Sequence, residues 1–244
     1  MKTCNNCNEI KSLNDFYKDK KGKFGRKGKC KKCYYPTVKK AKDKREQMMK
    51  TVTNSLRESE KERILKHFQY ECALTGKYDH VGLDHFVPLS WGSIVHEYEI
   101  GGTTYANTIP FHRSINSSKG AMNPFIWFKE YGNRHGVTRE KWDDVIKYIA
   151  EKHGLSVCDY TNRVNACYSE IIAKKWIADI NSKIESEGNV HLVFIDRALR
   201  NNLNIAVVAG LYGSSTTKDY FRSSQGLDLL KERKEVFQSR LNRR

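Results

Sequence analysis

Four of the seven cysteines come as two pairs, Cys4-x-x-Cys7 and Cys30-x-x-Cys33, separated by 22 residues. Two thiolates three residues apart can hold one tetrahedral ion, and a second pair closes the site, which is the spacing of a four-cysteine zinc site. Four sulfur ligands leave no open position, so the expected Zn²⁺ is structural. A segment of about 35 residues has too little core to fold alone, and metal binding can supply its folding energy. Phe16, Tyr17 and Phe24 are the few apolar side chains available to pack beside the ion. The alternative, four unrelated buried thiols, lacks a core to bury them in. Cys72, Cys158 and Cys167 stand singly.

A second set of residues lies in mid-chain: Leu83-Asp84-His85-Phe86-Val87-Pro88-Leu89-Ser90, then Gly101-Gly102 followed by Asn107, then Asn116-Ser117-Ser118-Lys119-Gly120. Taken singly, Asp-His is a common dipeptide, Asn107 a turn residue and Asn116 a loop or helix start. In this order they resemble the HNH endonucleases, also called ββα-metal or His-Me finger nucleases, over about residues 72–125. The third motif position is Asn, as in the H-N-N variant. The resemblance implies a metal-dependent hydrolysis of DNA phosphodiesters, and places Asn107 in a loop facing His85, orienting its imidazole.

The residue types suit that chemistry. An imidazole is a good base near neutral pH, so His85 is the candidate for activating water. Asp84 offers a carboxylate and Asn116 an amide oxygen, donors that suit Mg²⁺ or Mn²⁺. Such a cation neutralises phosphate charge and stabilises the departing oxygen. Adjacent strand residues point to opposite faces, so Asp84 and His85 can flank one site only if the strand ends there. Lys119 and Arg113 are candidate phosphate contacts. Many relatives staple this fold with a second zinc; here the corresponding places read Cys72-x-x-Thr75 and His112-x-x-Ile115, and no second zinc is expected. Packing by Leu74, Val81, Leu83, Phe86, Val87, Ile109 and Ile115 must serve instead. His112 is left as a vestigial position, a phosphate contact or a core-edge histidine.

These residues need elements to position them. Residues 36–70, from Pro36, read as a polar helical linker with sparse apolar positions (Val38, Met48, Met49, Val52, Leu56), and Ile64, Leu65 and Phe68 as an amphipathic turn into the centre. Residues 71–125 mix strand and turn formers. Helical spacing returns at Pro124, a suitable first helical position, with Thr138 a plausible N-cap farther on. Residues 191–195 fit a strand or a helix, and 226–244 one basic helix. Ala206-x-x-x-Gly210 and Ala209-x-x-x-Gly213, ahead of Ser214, are loosely like a helix-turn-helix, although Asp219 intrudes; an ordinary helical packing unit is the alternative. The closing Lys231–Lys234 and Arg240–Arg244 runs fit a phosphate backbone or a solvated helix end.

The net charge is +16, and residues 1–50 hold 17 Lys and Arg against 5 Asp and Glu. Such a local surplus suits a polyanion, nucleic acid before an anionic membrane or a solubilising tail. Lys23, Arg26, Lys27 and Lys29 lie between the cysteine pairs, and Gly22, Gly25 and Gly28 would let that loop approach DNA closely. No apolar run is long enough to cross a membrane and the start lacks a secretory signal, so a soluble intracellular (cytoplasmic) protein is expected.

The expected architecture is α+β: a zinc knuckle module (1–35), a basic helical linker (36–70), a ββα-metal core (71–130) and a mainly helical C-terminal region (131–244) able to bind DNA. The chain then resembles phage-type homing endonucleases that nick or cleave duplex DNA. A junction-resolving nuclease and a zinc-dependent DNA binder with an inert core are the rivals. One active site per core makes a monomer a nicking enzyme and requires a dimer for a double-strand cut.

Overall fold

The computed structural model describes residues 1–242. It is α+β and mostly helical, with three two-stranded antiparallel pairs among the described residues. The closing Arg243 and Arg244 of the basic tail lie outside the described residues. No helix is long and apolar enough to cross a membrane among the described residues.

The N-terminal module is two short hairpins. Strand β1 (Lys2–Thr3) pairs with β2 (Ile10–Lys11), with the first cysteine pair in the turn between them. Strand β3 (Phe16–Lys18) pairs with β4 (Arg26–Cys30). Phe16 alone of the three expected aromatics is buried, against Cys4 and Cys30; Tyr17 and Phe24 are exposed. The module is so small that Lys2 does structural work, its ammonium donating to the carbonyls of Lys23 and Arg26 at 2.9 and 2.8 Å. Its glycines also serve the inside. A Cβ on Gly22 would lie 2.0 Å from the Arg26 oxygen, and one on Gly28 would lie 2.8 Å from the Asn5 amide.

Helix α1 (Lys31–Lys50) starts five residues before the expected boundary, since Cys33 lies in its first turn and Pro36 falls inside it. None of its residues is buried. Helix α2 (Glu58–His67) is separate and belongs to the central unit: Ile64 is fully buried and His67 stacks on Tyr148 at 4.4 Å. Between the helices Val52 joins the central core. Residues 36–70 are therefore not one free linker, because buried apolar side chains anchor them at 52 and 64.

Strand β5 (Val81–His85) pairs with β6 (Thr108–His112) in a register that sets Asp84 opposite Ile109 and His85 opposite Thr108. Helix α3 (Arg113–Lys119) follows β6 without a loop and ends at Gly120, φ +47°. Of the expected core side chains, Leu74, Phe86, Val87, Ile109 and Ile115 are buried, while Val81 and Leu83 are half-buried. His112 acts at a helix start: its ring accepts the Ser114 N–H at 3.2 Å.

Helices α4 (Pro124–Trp127), α5 (Arg139–Lys152) and the long α6 (Val157–Glu187) pack on this pair. Pro124 takes the first helical position and Thr138 caps α5, accepting from Lys141. The apolar core is continuous from Val52 to Ile171, past the expected boundary at 130, because Phe86 packs against Trp142 and Tyr160. A second core uses the far half of α6 with α7 (Leu192–Arg200), α8 (Ile205–Tyr212), α9 (Ser215–Arg222) and α10 (Ser224–Leu241). Residues 192–195 are thus helix. Gly213 joins α8 to α9, and Asp219 does not interrupt the packing, because Thr217, Tyr220 and Phe221 face inward while Asp219 is exposed.

Trp142 stacks flat on Phe128 at 4.3 Å and also meets Phe86 and Phe125. Trp142→Ala is predicted to cost about 3–5 kcal/mol, read by urea unfolding; a loss below about 1 kcal/mol would show that this stack does not join α5 to the central sheet.

Candidate functional site

The four N-terminal sulfurs lie within 4.8 Å of one another. A tetrahedron of zinc–sulfur bonds has edges of about 3.8 Å, so small side-chain adjustments let this cluster hold a metal such as zinc. The backbone is already aimed at the sulfurs, with the N–H groups of Cys30 and Asn6 donating to Cys4 Sγ at 3.2 and 3.4 Å. The Cys30 N–H chiefly draws the Cys4 thiol down to about 6, as suits a ligand that binds as thiolate. Cys33, hydrogen-bonded to its neighbouring thiols, Cys30 foremost, is pushed up to about 12.

In the central unit, Asp84, His85 and Asn116 line one cleft of about 750 Å³. Strand β5 ends at His85, so the alternation of faces lapses there, and His85 Nδ1 comes within 3.6 Å of an Asp84 carboxylate oxygen. Asn116 reaches the cleft from α3, four residues into a helix that starts where β6 stops. A carboxylate and an amide oxygen on one cleft wall fit a hard divalent cation better than a soft one.

Lys119 is not free to bind phosphate. It is 3% exposed, donates to the His85 carbonyl at 2.8 Å, and lies 3.7 Å from the Asp84 carboxylate. Burial holds its pKa below the usual lysine range, against the pull of Asp84. Burial works to raise the Asp84 carboxyl, but the His85 ring and the Lys119 charge outweigh it and hold Asp84 below its ordinary value. The site carboxylate is therefore kept ionised. Arg113 is exposed on α3, and its backbone N–H donates to His80.

Asn107 is fully buried, but its amide serves the main chain rather than the imidazole. It accepts from the Val87 N–H at 2.8 Å and donates to the carbonyls of Val87 and Gly102 at 3.0 and 2.8 Å. An amide presents donor and acceptor on one fork, which lets it clamp the chain after His85 to the Gly-Gly turn. The ring is met instead by Thr103, whose hydroxyl lies 3.0 Å from Nε2.

The other wall of the cleft is α1: Val38, Ala41, Lys42, Arg45 and Met48 face Asp84, His85 and Asn116 across it, with Lys44 at the edge. These five follow a three-and-four-residue rhythm along one helix face. That rhythm was the signal available in the sequence, hidden because two of the five are cations. Of the four candidate DNA contacts between the cysteine pairs, Lys23 and Lys29 are exposed, as are the neighbouring Lys20 and Lys21. Lys27 lies 4.0 Å from Asp19 and over the Tyr34 ring, and Arg26 is half-buried.

Two outcomes are expected from this geometry. Cys30→Ser should lose a bound metal, one ion per chain in the parent, measured by elemental analysis after dialysis; equal metal content would move the ion elsewhere. Lys119→Met removes a charged hydrogen bond from the interior and should cost about 2–3 kcal/mol by denaturant unfolding, where a surface phosphate contact would cost close to nothing.

No family model matches the chain, and neither does any curated protein or any solved structure.

Proposed function

We propose that the chain is an endonuclease of the HNH kind that hydrolyses phosphodiester bonds in duplex DNA, with the module at residues 1–35 carrying a structural zinc. One observation carries this reading: a carboxylate, an imidazole and an amide share a single cleft whose facing wall is a helix bearing Lys42 and Arg45. Cations on that wall suit an anionic ligand, and a phosphodiester needs both cations to draw it in and a base to activate water.

In this mechanism His85 takes a proton from a water molecule lying against the scissile phosphate. The water oxygen bonds to phosphorus as the bond to the 3′ oxygen breaks, and the departing oxygen is protonated by solvent. Asp84 and Asn116 would hold Mg²⁺ or Mn²⁺, which supplies charge neutralisation at the phosphate and the leaving oxygen. The Lys119 charge joins the His85 ring in favouring the ionised Asp84, and its ammonium fixes the main chain at His85. Asn107 holds the loop that follows. Lys42 and Arg45 face the site and are suited to grip phosphates on either side of the cut, with the exposed Lys23, Lys29 and Arg113 farther along the duplex. With one such cleft, each chain cuts one strand, so nicking is the elementary event.

Purified protein with Mg²⁺ or Mn²⁺ should convert supercoiled plasmid to nicked circles. His85→Ala should lower the rate at least about 100-fold with DNA affinity retained; intact plasmid with either metal across varied DNAs would leave only a zinc-bearing binder. Lys42→Ala and Arg45→Ala should each weaken binding and reduce the salt dependence of affinity by about one counterion, measured by fluorescence anisotropy between low and physiological salt. An unchanged slope would take α1 out of the substrate path.

A further inference from the structure

The segment between α1 and α2 is bonded to the residue that touches the proposed general base. Thr103 N–H donates to the Thr53 carbonyl at 2.7 Å, and the Thr103 carbonyl accepts from the N–H groups of Ser55 and Leu56 at 3.0 and 3.1 Å. Asn54 bridges Thr103 in parallel. The approach is close because the preceding turn is Gly101-Gly102, with φ of +79° and +73°; a Cβ on Gly102 would stand 2.7 Å from the Thr53 oxygen. His96 closes the same segment from the other side, its Nε2 3.2 Å from the Thr51 carbonyl and its Nδ1 3.3 Å from the Thr53 hydroxyl.

We propose that Thr103 is the positioning residue for His85, held in place by residues 53–56, so that the basic helix α1 and the base are parts of one frame. This rests on the nuclease reading for its consequence, though not for its geometry. With both backbone groups of Thr103 bonded to the segment, its φ and ψ have little freedom. A β-branched side chain has few χ1 choices, so the hydroxyl direction follows the backbone. That hydroxyl lies 3.0 Å from His85 Nε2. Tethering Nε2 to that hydroxyl leaves Nδ1 as the nitrogen that faces the cleft, 3.6 Å from Asp84. Asn107 cannot do this, because both ends of its amide are spent on Val87 and Gly102.

From the end of α1 at Lys50, two residues lead to Val52 in the core and one more to Thr53, whose carbonyl holds Thr103. A DNA strand gripped by Lys42 and Arg45 is thereby held in register with the imidazole. Residues 51–56 are thus the strut that sets both walls of the cleft.

The test compares Thr103→Val with Thr103→Ser in the full-length protein. Valine keeps the shape and the backbone bonds and removes only the hydroxyl; serine keeps the hydroxyl. Thr103→Val should lower kcat by about 10–100-fold with KM for DNA unchanged, and Thr103→Ser should recover most of the rate. In parallel, two-bond ¹H–¹⁵N correlation spectra should show one and the same His85 tautomer in the parent and in Thr103→Ser, and a changed or mixed tautomer in Thr103→Val. Wild-type kcat in Thr103→Val, equal losses in the two variants, or an identical tautomer in all three would overturn the proposal. If the parent itself cuts no DNA, the nuclease reading fails, and the spectra still decide whether Thr103 sets the ring.

Discussion

A buried ammonium group holds the candidate site together. Lys119 lies at the end of α3, and its charge is placed between the His85 carbonyl and the Asp84 carboxylate. A lysine this deeply buried is costly unless its donors are used. Here they are used on the last two residues of β5, so the helix cannot drift from the strand without stranding a charge. That contact fixes the distance between Asn116, one turn earlier on α3, and Asp84. The antiparallel register of β5 with β6 fixes the rest, because α3 begins at the residue after β6 ends.

The geometry then grows outward by local necessities. Asn107 satisfies the main chain where β5 stops, which lets the strand end at His85 with its next residues clamped. Phe86, next in sequence, turns inward onto Trp142 and Tyr160, so α5 and α6 become the floor beneath the site. The N-terminal module has no such floor. Its only buried aromatic is Phe16, and the four cysteines with a buried Lys2 take the place of a core. Helix α1 starts within that module and lines the cleft from Val38 to Met48, so one basic helix leads from the cysteine cluster into the cleft wall.

How much of this was legible in the sequence follows from what each signal depends on. The paired cysteines were legible because ligand spacing is local. The helix starts at Pro124 and Thr138 were legible because capping is local too. Asp84, His85 and Asn116 were legible as an ordered set, and the fold brings them to one cleft. Lys119 reads in the sequence as a phosphate contact, since nothing in Asn-Ser-Ser-Lys-Gly says that the lysine turns inward toward a carbonyl 34 residues away. The resemblance alone assigns Asn107 to the imidazole; its amide in fact serves the backbone, and Thr103 meets the ring. Residues 36–70 looked like a linker because α1 has no buried residue, yet Val52 and Ile64 anchor them. The glycines between the cysteine pairs looked like openings for DNA, whereas Gly22 and Gly28 admit neighbouring chain instead. Most of these misreadings concern contacts between residues far apart in sequence, where composition and periodicity carry no information.

The account turns on Asp84 and Asn116 gripping one hard cation beside His85. Its most direct measurement is an anomalous difference map from crystals of the full chain soaked in Mn²⁺. A manganese peak is expected in the cleft, bounded by the Asp84 carboxylate and the Asn116 amide oxygen. A map with no peak there at saturating Mn²⁺, or with manganese bound only elsewhere, would contradict it.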